Sequence, residues 1–581
     1  MTPSDTNETS HLMADLPGPL HRRFLGYLYS RNPFYLLSVC FVFHGTAAWF
    51  QNEAALHNPW PLVLLTSTYI VALAVTAFVI VRFGKVWDDA RSIFLIVLIL
   101  FVEMSVCFDD VLAIYPEIGK PLLIVAWLLA VCVSEGLMLS LRIRLPALFR
   151  VPFHLMLALL FLYPFCLIPG FLFTSHDAIV KSWRIFLFSP AIALALLSTL
   201  PAVRRGPSYV GSNGTPWSWP WFPWTALGTI IIGLCIRSYA MTLSFDPALS
   251  VKYEEALALP SAFGGYFLVP VLLAMAFLLL ETGVVTGNRQ IERLALFVPF
   301  ACIFLAIPAG SPNAPYAEFL NLFMQRLASP VWLTAIGSAG FLAYALFRRV
   351  SGAERALVVT LLLLSVTGPE TVGLDSLVPM QAIPLLLIAG LELGWGLRKA
   401  DSRRTLLGAL CSIAAVHTAT AAGWTSDVGD AAACHLALAA TIIIGTFFRD
   451  PFSRLLQQAG AVMLFAAGVC ALILPFSAPA WAVAVYMATL IVLSFLYAWS
   501  FSNLVYLLSG LALTLASLCT LGWHTYLELK RLPAWKGVDS FLLAAACLVI
   551  ATIISLIKGG IARKFLAHIP RLGIAPRPPA D

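Results

Sequence analysis

Four acidic residues stand inside stretches that are otherwise predominantly apolar. Glu103, Asp109 and Asp110 fall in SIFLIVLILFVEMSVCFDDVLAIY, residues 92–115, and Glu135 falls in PLLIVAWLLAVCVSEGLMLSLR, residues 121–142. At ~1.5 Å per residue each stretch is long enough to cross a hydrocarbon core of ~30 Å, with a turn at Pro116 to Gly119 between them. An ionised carboxylate in lipid costs ~2.5–3.5 kcal/mol even on the lenient insertion scale, so such groups face a partner or a water-filled cavity. Arg237, in TIIIGLCIRSYAMTL, is the cation placed to answer them: its long guanidinium is able to reach Asp109 or Asp110 from another span. Glu103 and Asp110 are seven residues apart and share a helix face. Glu103, Asp109, Asp110, Arg237 and Glu135 are therefore the candidates for a substrate or proton site. The plainer alternative is an ion pair that locks two helices, or snorkelling of the two aspartates to the surface. Glu103 is the deepest of the acids, where burial favours the neutral carboxyl and suits proton exchange.

Other polar groups carry weaker signals. Glu370 and Asp375 lie in VTGPETVGLDSLVPMQAIP, whose Gly and Pro residues forbid continuous helix, which reads either as an interrupted intramembrane segment or as an outer loop. His417 and His435 flank the short segment WTSDVGD and, with Asp427 and Asp430, resemble a metal or haem ligand set without any diagnostic spacing. Hydrogen-bonded packing histidines explain them equally, so no metal and no cofactor is expected. Glu281 and Glu392 stand near the ends of spans and are read as interfacial anchors.

The elements that must position these groups are membrane helices. Hydrophobic residues make up 60% of the 581 and charged residues only 11%, a balance no water-soluble chain of this length sustains. Hydropathy picks out about 18 spans, at 34–51, 60–83, 92–115, 120–141, 151–173, 183–203, 221–244, 263–285, 294–309, 330–347, 355–372, 377–397, 404–424, 430–448, 454–475, 480–499, 503–524 and 538–557. The expected fold is thus all-α, a polytopic helix bundle without a soluble domain. It comprises a cytoplasmic tail at 1–33, one membrane domain at 34–557 and a second cytoplasmic tail at 558–581. The first 30 residues lack the apolar run of a removable signal peptide.

Charge gives an independent count. With the N-terminus inside, 27 of the 36 Lys and Arg fall on the cytoplasmic side, 8 outside and one, Arg237, within a span. A single miscounted helix before residue 450 would reverse the later half of that asymmetry, so both termini are expected in the cytoplasm of a bacterial-type plasma membrane. Lys530, Arg531 and Lys536 are the exceptions. The net charge of +7 then reflects orientation, and no nucleic-acid surface is indicated. The 11 cysteines are scattered without a CxxC and read as small packing residues.

Two connecting pieces stand out. Residues 206–224 concentrate four Trp at the membrane edge, and their Asn213-Gly214-Thr215 is read as a chance match to a glycosylation acceptor. Residues 316–327 show a helical apolar stripe suited to lying on the outer surface. Nothing here fits a P-loop or an ATPase cassette, and a shared YLLS in two spans is too cheap in apolar sequence to establish an internal repeat.

Three functions suit this pattern: a secondary, proton-coupled transporter of a small molecule or ion; a non-catalytic scaffold or assembly subunit of a membrane complex; and a membrane-embedded transferase using a lipid-linked substrate. No residue is assigned a catalytic role, and the bilayer is the only partner the sequence indicates. A water-accessible cavity lined by Glu103, Asp110 and Arg237 favours the transporter, and a solid bundle there favours the scaffold.

Overall fold

The computed structural model describes residues 34–50, 58–168, 178–245, 263–308, 314–372, 376–420, 426–473, 479–531 and 538–558. Among them all regular structure is helical, and the chain divides into two compact units, residues 1–379 and 380–581. Unit 1 contains α1 (Phe34–Phe50), α2 (Trp60–Val79), α3 (Trp87–Ile114), α4 (Pro116–Ser140), α5 (Ala147–Leu162), α6 (Ala178–Leu197) and α7 (Leu200–Arg205). It continues with α8 (Trp221–Ser244), α9 (Val269–Thr286), α10 (Arg289–Leu305), α11 (Ala314–Arg326), α12 (Pro330–Phe347) and α13 (Ala353–Val366). Unit 2 contains α14 (Ala382–Lys399), α15 (Ser402–Thr420), α16 (Ser426–Phe447), α17 (Pro451–Ile473), α18 (Ala480–Phe501), α19 (Leu504–Lys530) and α20 (Val538–Lys558).

Among the described residues twelve helices are long and apolar enough to cross a membrane. A helix falls in each of the eighteen segments picked out by hydropathy, but several are too short to count on length alone: α1 and α10 have 17 residues and α13 has 14. The prolines that broke the pattern near residue 380 fall before α14 or in its first turn, where no helical N–H is lost.

Unit 1 is built around α3. Of the twelve spanning helices its most apolar window is the most buried, at 56%, so whatever it carries is enclosed by neighbours. The α3–α4 hairpin is tighter than the sequence suggests: α4 starts at Pro116, directly after Tyr115, and includes Pro121 in its opening turns. Gly119 makes this possible, since a Cβ there would stand 2.4 Å from Leu112 Cα. On another side of α3, Gly233 of α8 meets Val102, and Arg237 meets Asp109 further on. Both contacts advance along both helices, so α3 and α8 run parallel.

The connections after α2, α4, α9, α12, α14 and α18 each leave their helix through a residue in the left-handed region: Lys85, Arg142, Gly287, Arg349, Ala400 and Ser502, with Gly352 a second one after α12. In five of the six an amide reaches back five residues, from Ile143 to Met138, Asn288 to Gly283, Val350 to Ala345, Asp401 to Gly396 and Asn503 to Ala498, at 2.9 to 3.2 Å. This is the closing bond of a Schellman turn. Numbered by the eighteen segments expected from hydropathy, all six are even-numbered connections, the set that carries most of the Lys and Arg.

Two expectations are corrected. The apolar stripe of α11 faces protein: Phe319 and Phe323 are buried against Trp183 of α6, at 4.9 and 5.6 Å between ring centres. The Trp-rich piece before α8 packs inward too, Trp217 on Trp87 and Phe94, and Trp219 and Trp224 on Phe149. Asn213 is buried there, accepting from Thr215 N–H at 2.8 Å and donating to the Trp217 carbonyl at 2.9 Å. That amide is committed to holding the loop.

Candidate functional site

The site begins with helix contact. Because Gly233 has no side chain, α8 approaches α3 closely, and one turn later the Arg237 guanidinium is delivered to Asp109. Nη2 of Arg237 donates to Oδ1 of Asp109 at 2.8 Å, and both side chains are 0% exposed. The pair makes this one bond. Asp109 Oδ2 and Arg237 Nε and Nη1 are buried with no hydrogen-bond partner among the described residues. A buried pair of this kind holds two helices in register, and loss of either member strands the other charge. Asp110, the next residue, points instead to Ser244 at the end of α8.

Glu103 lies on the same helix, nearly two turns before Asp109. Both of its carboxyl oxygens are buried, and neither makes a hydrogen bond of ordinary geometry. The Thr46 hydroxyl of α1 lies beside it and is also 3.0 Å from the Val42 carbonyl. That hydroxyl has one hydrogen and two lone pairs, so it serves Glu103 as a donor when it turns from Val42 and as an acceptor when it does not. The arrangement accommodates Glu103 with a proton and without one.

The other acids are placed elsewhere. Glu135 does not join Glu103 and Asp109; it sits toward the far end of α4, held by two residues one turn apart on α5. Arg150 Nε donates to its Oε1 at 2.7 Å and Arg150 Nη2 to its Oε2, while His154 Nε2 is 2.5 Å from Oε1. Glu281 is not an interfacial anchor. It is fully buried, accepting from Tyr344 at Oε1 and from Arg348 at Oε2 (3.1 Å), with Arg204 Nε 3.6 Å away. Glu392 is buried as well. The sequence signal missed for Glu135 and Glu281 is a pair of donors spaced four apart, Arg150 with His154 and Tyr344 with Arg348, which presents two hydrogen bonds to one carboxylate.

Glu370 is an exposed loop residue in a built turn. Ser329, the cap of α12, donates its N–H to the Pro369 carbonyl at 2.6 Å and its hydroxyl to the Thr371 carbonyl, so the broken segment is a pinned loop. Asp375 lies outside the described residues. His417 and His435 do not meet at a shared site: His417 pairs with Asp430 at 3.0 Å, and His435 bonds the Ala431 carbonyl and the Tyr486 hydroxyl at 2.6 and 2.7 Å. Among the described residues no cluster of His, Cys, Asp or Glu is suited to a metal ion.

Three cavities are apolar: ≈ 260 Å³ between α2 and α4, ≈ 120 Å³ where α3, α4, α5 and α8 come together, and ≈ 220 Å³ between α16 and α17. None of these three is lined by Glu103, Asp109, Asp110 or Arg237. The chain matches no known protein family, no curated protein and no solved structure. Its class is a polytopic, all-helical membrane protein, carried by the twelve apolar helices.

Proposed function

We propose that this chain is a secondary, proton-coupled carrier of a small molecule or ion. In this reading it has eighteen crossings, both termini in the cytoplasm, and Glu103 as the group that exchanges the proton. One observation supports it above the rest: a carboxyl enclosed on the central helix of unit 1, with both oxygens buried, no cation paired with it and a hydroxyl beside it able to donate or accept. Asp109 and Arg237 set the register of α3 against α8, and rearrangement of that contact would open Glu103 to water.

A second reading, the scaffold, is the one that the cavity criterion favours: the Asp109–Arg237 pair is completely buried and none of the three cavities is lined by it, Glu103 or Asp110. The transferase reading loses its acidic pair, since Asp109 is bound to Arg237 and only Asp110 is left. Reconstitution separates the first two. Vesicles holding the purified protein and an internal pH indicator are exposed to a substrate panel under an imposed pH gradient; a carrier shows substrate-dependent proton movement and a scaffold shows none.

A further inference from the structure

At the end of α3 opposite Asp109, the ≈ 120 Å³ cavity is walled by α3, α4, α5 and the start of α8, and by Trp217 of the piece that precedes α8. It runs from Arg91 to Leu98, seven residues or about 10 Å along the helix axis, so it is elongated along α3. Phe94, Leu137, Phe153 and Leu227 make its wall almost wholly apolar. The rim is cationic. The Arg91 guanidinium lies over the Trp221 ring at 5.0 Å, and among the described residues it forms no ion pair, although Asp88 and Asp89 stand on the same first turns of α3. Arg142 and Arg144 follow the end of α4 on this side. A slot lined by hydrocarbon, with the exposed Trp221 and an arginine that forms no ion pair at one end, has the two chemistries of an anionic lipid in their natural order.

We propose that this cavity seats part of one acyl chain of an anionic phospholipid, with the lipid phosphate on Arg91. The volume admits a short run of methylenes near the headgroup, and the rest of the lipid lies along the bundle surface. Arg91 serves as the phosphate contact because its guanidinium presents paired N–H donors and is already oriented by Trp221. This proposal needs the membrane reading but not the carrier reading, and its test involves no transport.

The protein is purified in detergent, equilibrated with equal amounts of phosphatidylglycerol and phosphatidylcholine of identical chains, and its retained lipid is read by native mass spectrometry. Wild type should retain the anionic lipid about fivefold over the zwitterionic one, the worth of one arginine near a membrane surface. Arg91→Ala should erase that preference and Arg91→Lys should keep part of it. Ala226→Trp, which fills the cavity with Arg91 intact, should lose the retained lipid, with helix content checked by circular dichroism. Soluble glycerol phosphate should fail to displace the phosphatidylglycerol. Equal retention of the two lipids by wild type overturns the proposal without recourse to any variant. So does a preference that survives Ala226→Trp, or one that glycerol phosphate alone abolishes.

Discussion

Gly233 of α8 and Val102 of α3 touch where the two helices come closest: a Cβ on Gly233 would stand 2.3 Å from Val102 Cγ2. Alanine at this position would gain helix propensity, but valine is β-branched and has little freedom to move aside. We expect Gly233→Ala to destabilise the detergent-solubilised protein by ~1–3 kcal/mol, the usual cost of overpacking. Val102→Ala should restore most of that loss. Thermal unfolding of the two single variants and the double variant checks it, and a neutral Gly233→Ala contradicts the close approach.

The Asp109–Arg237 bond predicts a specific non-additivity. Removing one member leaves a buried charge unanswered, at ~3–5 kcal/mol, while removing both leaves only a cavity and two lost packing surfaces. Folded yields of Asp109→Ala, Arg237→Ala and the double variant should therefore show the double variant milder than the sum of the singles. Additive losses mean the two side chains act separately.

Much of the fold was legible because a bilayer simplifies the code. Apolar runs of helical length located every long helix among the described residues, and the positions of Arg237 and the DD pair were enough to suggest where α3 and α8 meet. Three things were not legible. Glu281 looked able to reach the surface because hydropathy treats each span as if it faced lipid, whereas α7 and α12 cover it. The stripe of α11 was correctly amphipathic, but an apolar face does not say whether lipid or a neighbouring helix will receive it, and here Trp183 does. Glu135 appeared to belong with the other acids because only depth along the chain was considered; its partners Arg150 and His154 fix it near the far end of α4.

Unit 2 carries a pH-dependent corner outside its spans. Partial burial pushes the Asp450 carboxyl up, but hydrogen bonds from Ser402 and Ser453 outweigh it and hold the group below the usual carboxylate range. Ser402 donates its hydroxyl at 2.7 Å and its N–H at 3.1 Å, and Ser453 donates its N–H at 2.9 Å. A carboxyl with a lowered folded value stabilises above its unfolded value, about pH 4, and the contribution disappears as pH falls through the folded value. Stability measured from pH 7 downward should thus fall less in Asp450→Asn than in wild type below about pH 4. Parallel curves for the two proteins exclude this role.

The eighteen-crossing scheme with cytoplasmic termini places residues 177 and 427 on the outer side. A membrane-impermeant thiol reagent added to intact cells should label Asp177→Cys and Asp427→Cys in a background whose native cysteines are replaced. Labelling of either only from the cytoplasmic side defeats the scheme.

The account rests most heavily on Glu103, and one substitution tests it. Glu103→Gln keeps the shape of the side chain, and its amide is able to donate to the Thr46 lone pair as a protonated carboxyl would, so the variant should insert normally and unfold at the wild-type temperature. It has no proton to exchange. Measured in reconstituted vesicles under a pH gradient, wild type should show substrate-dependent proton uptake and Glu103→Gln should show none. If Glu103→Gln moves protons as wild type does, or if wild type moves none with any substrate, Glu103 is a packing group and the carrier reading fails.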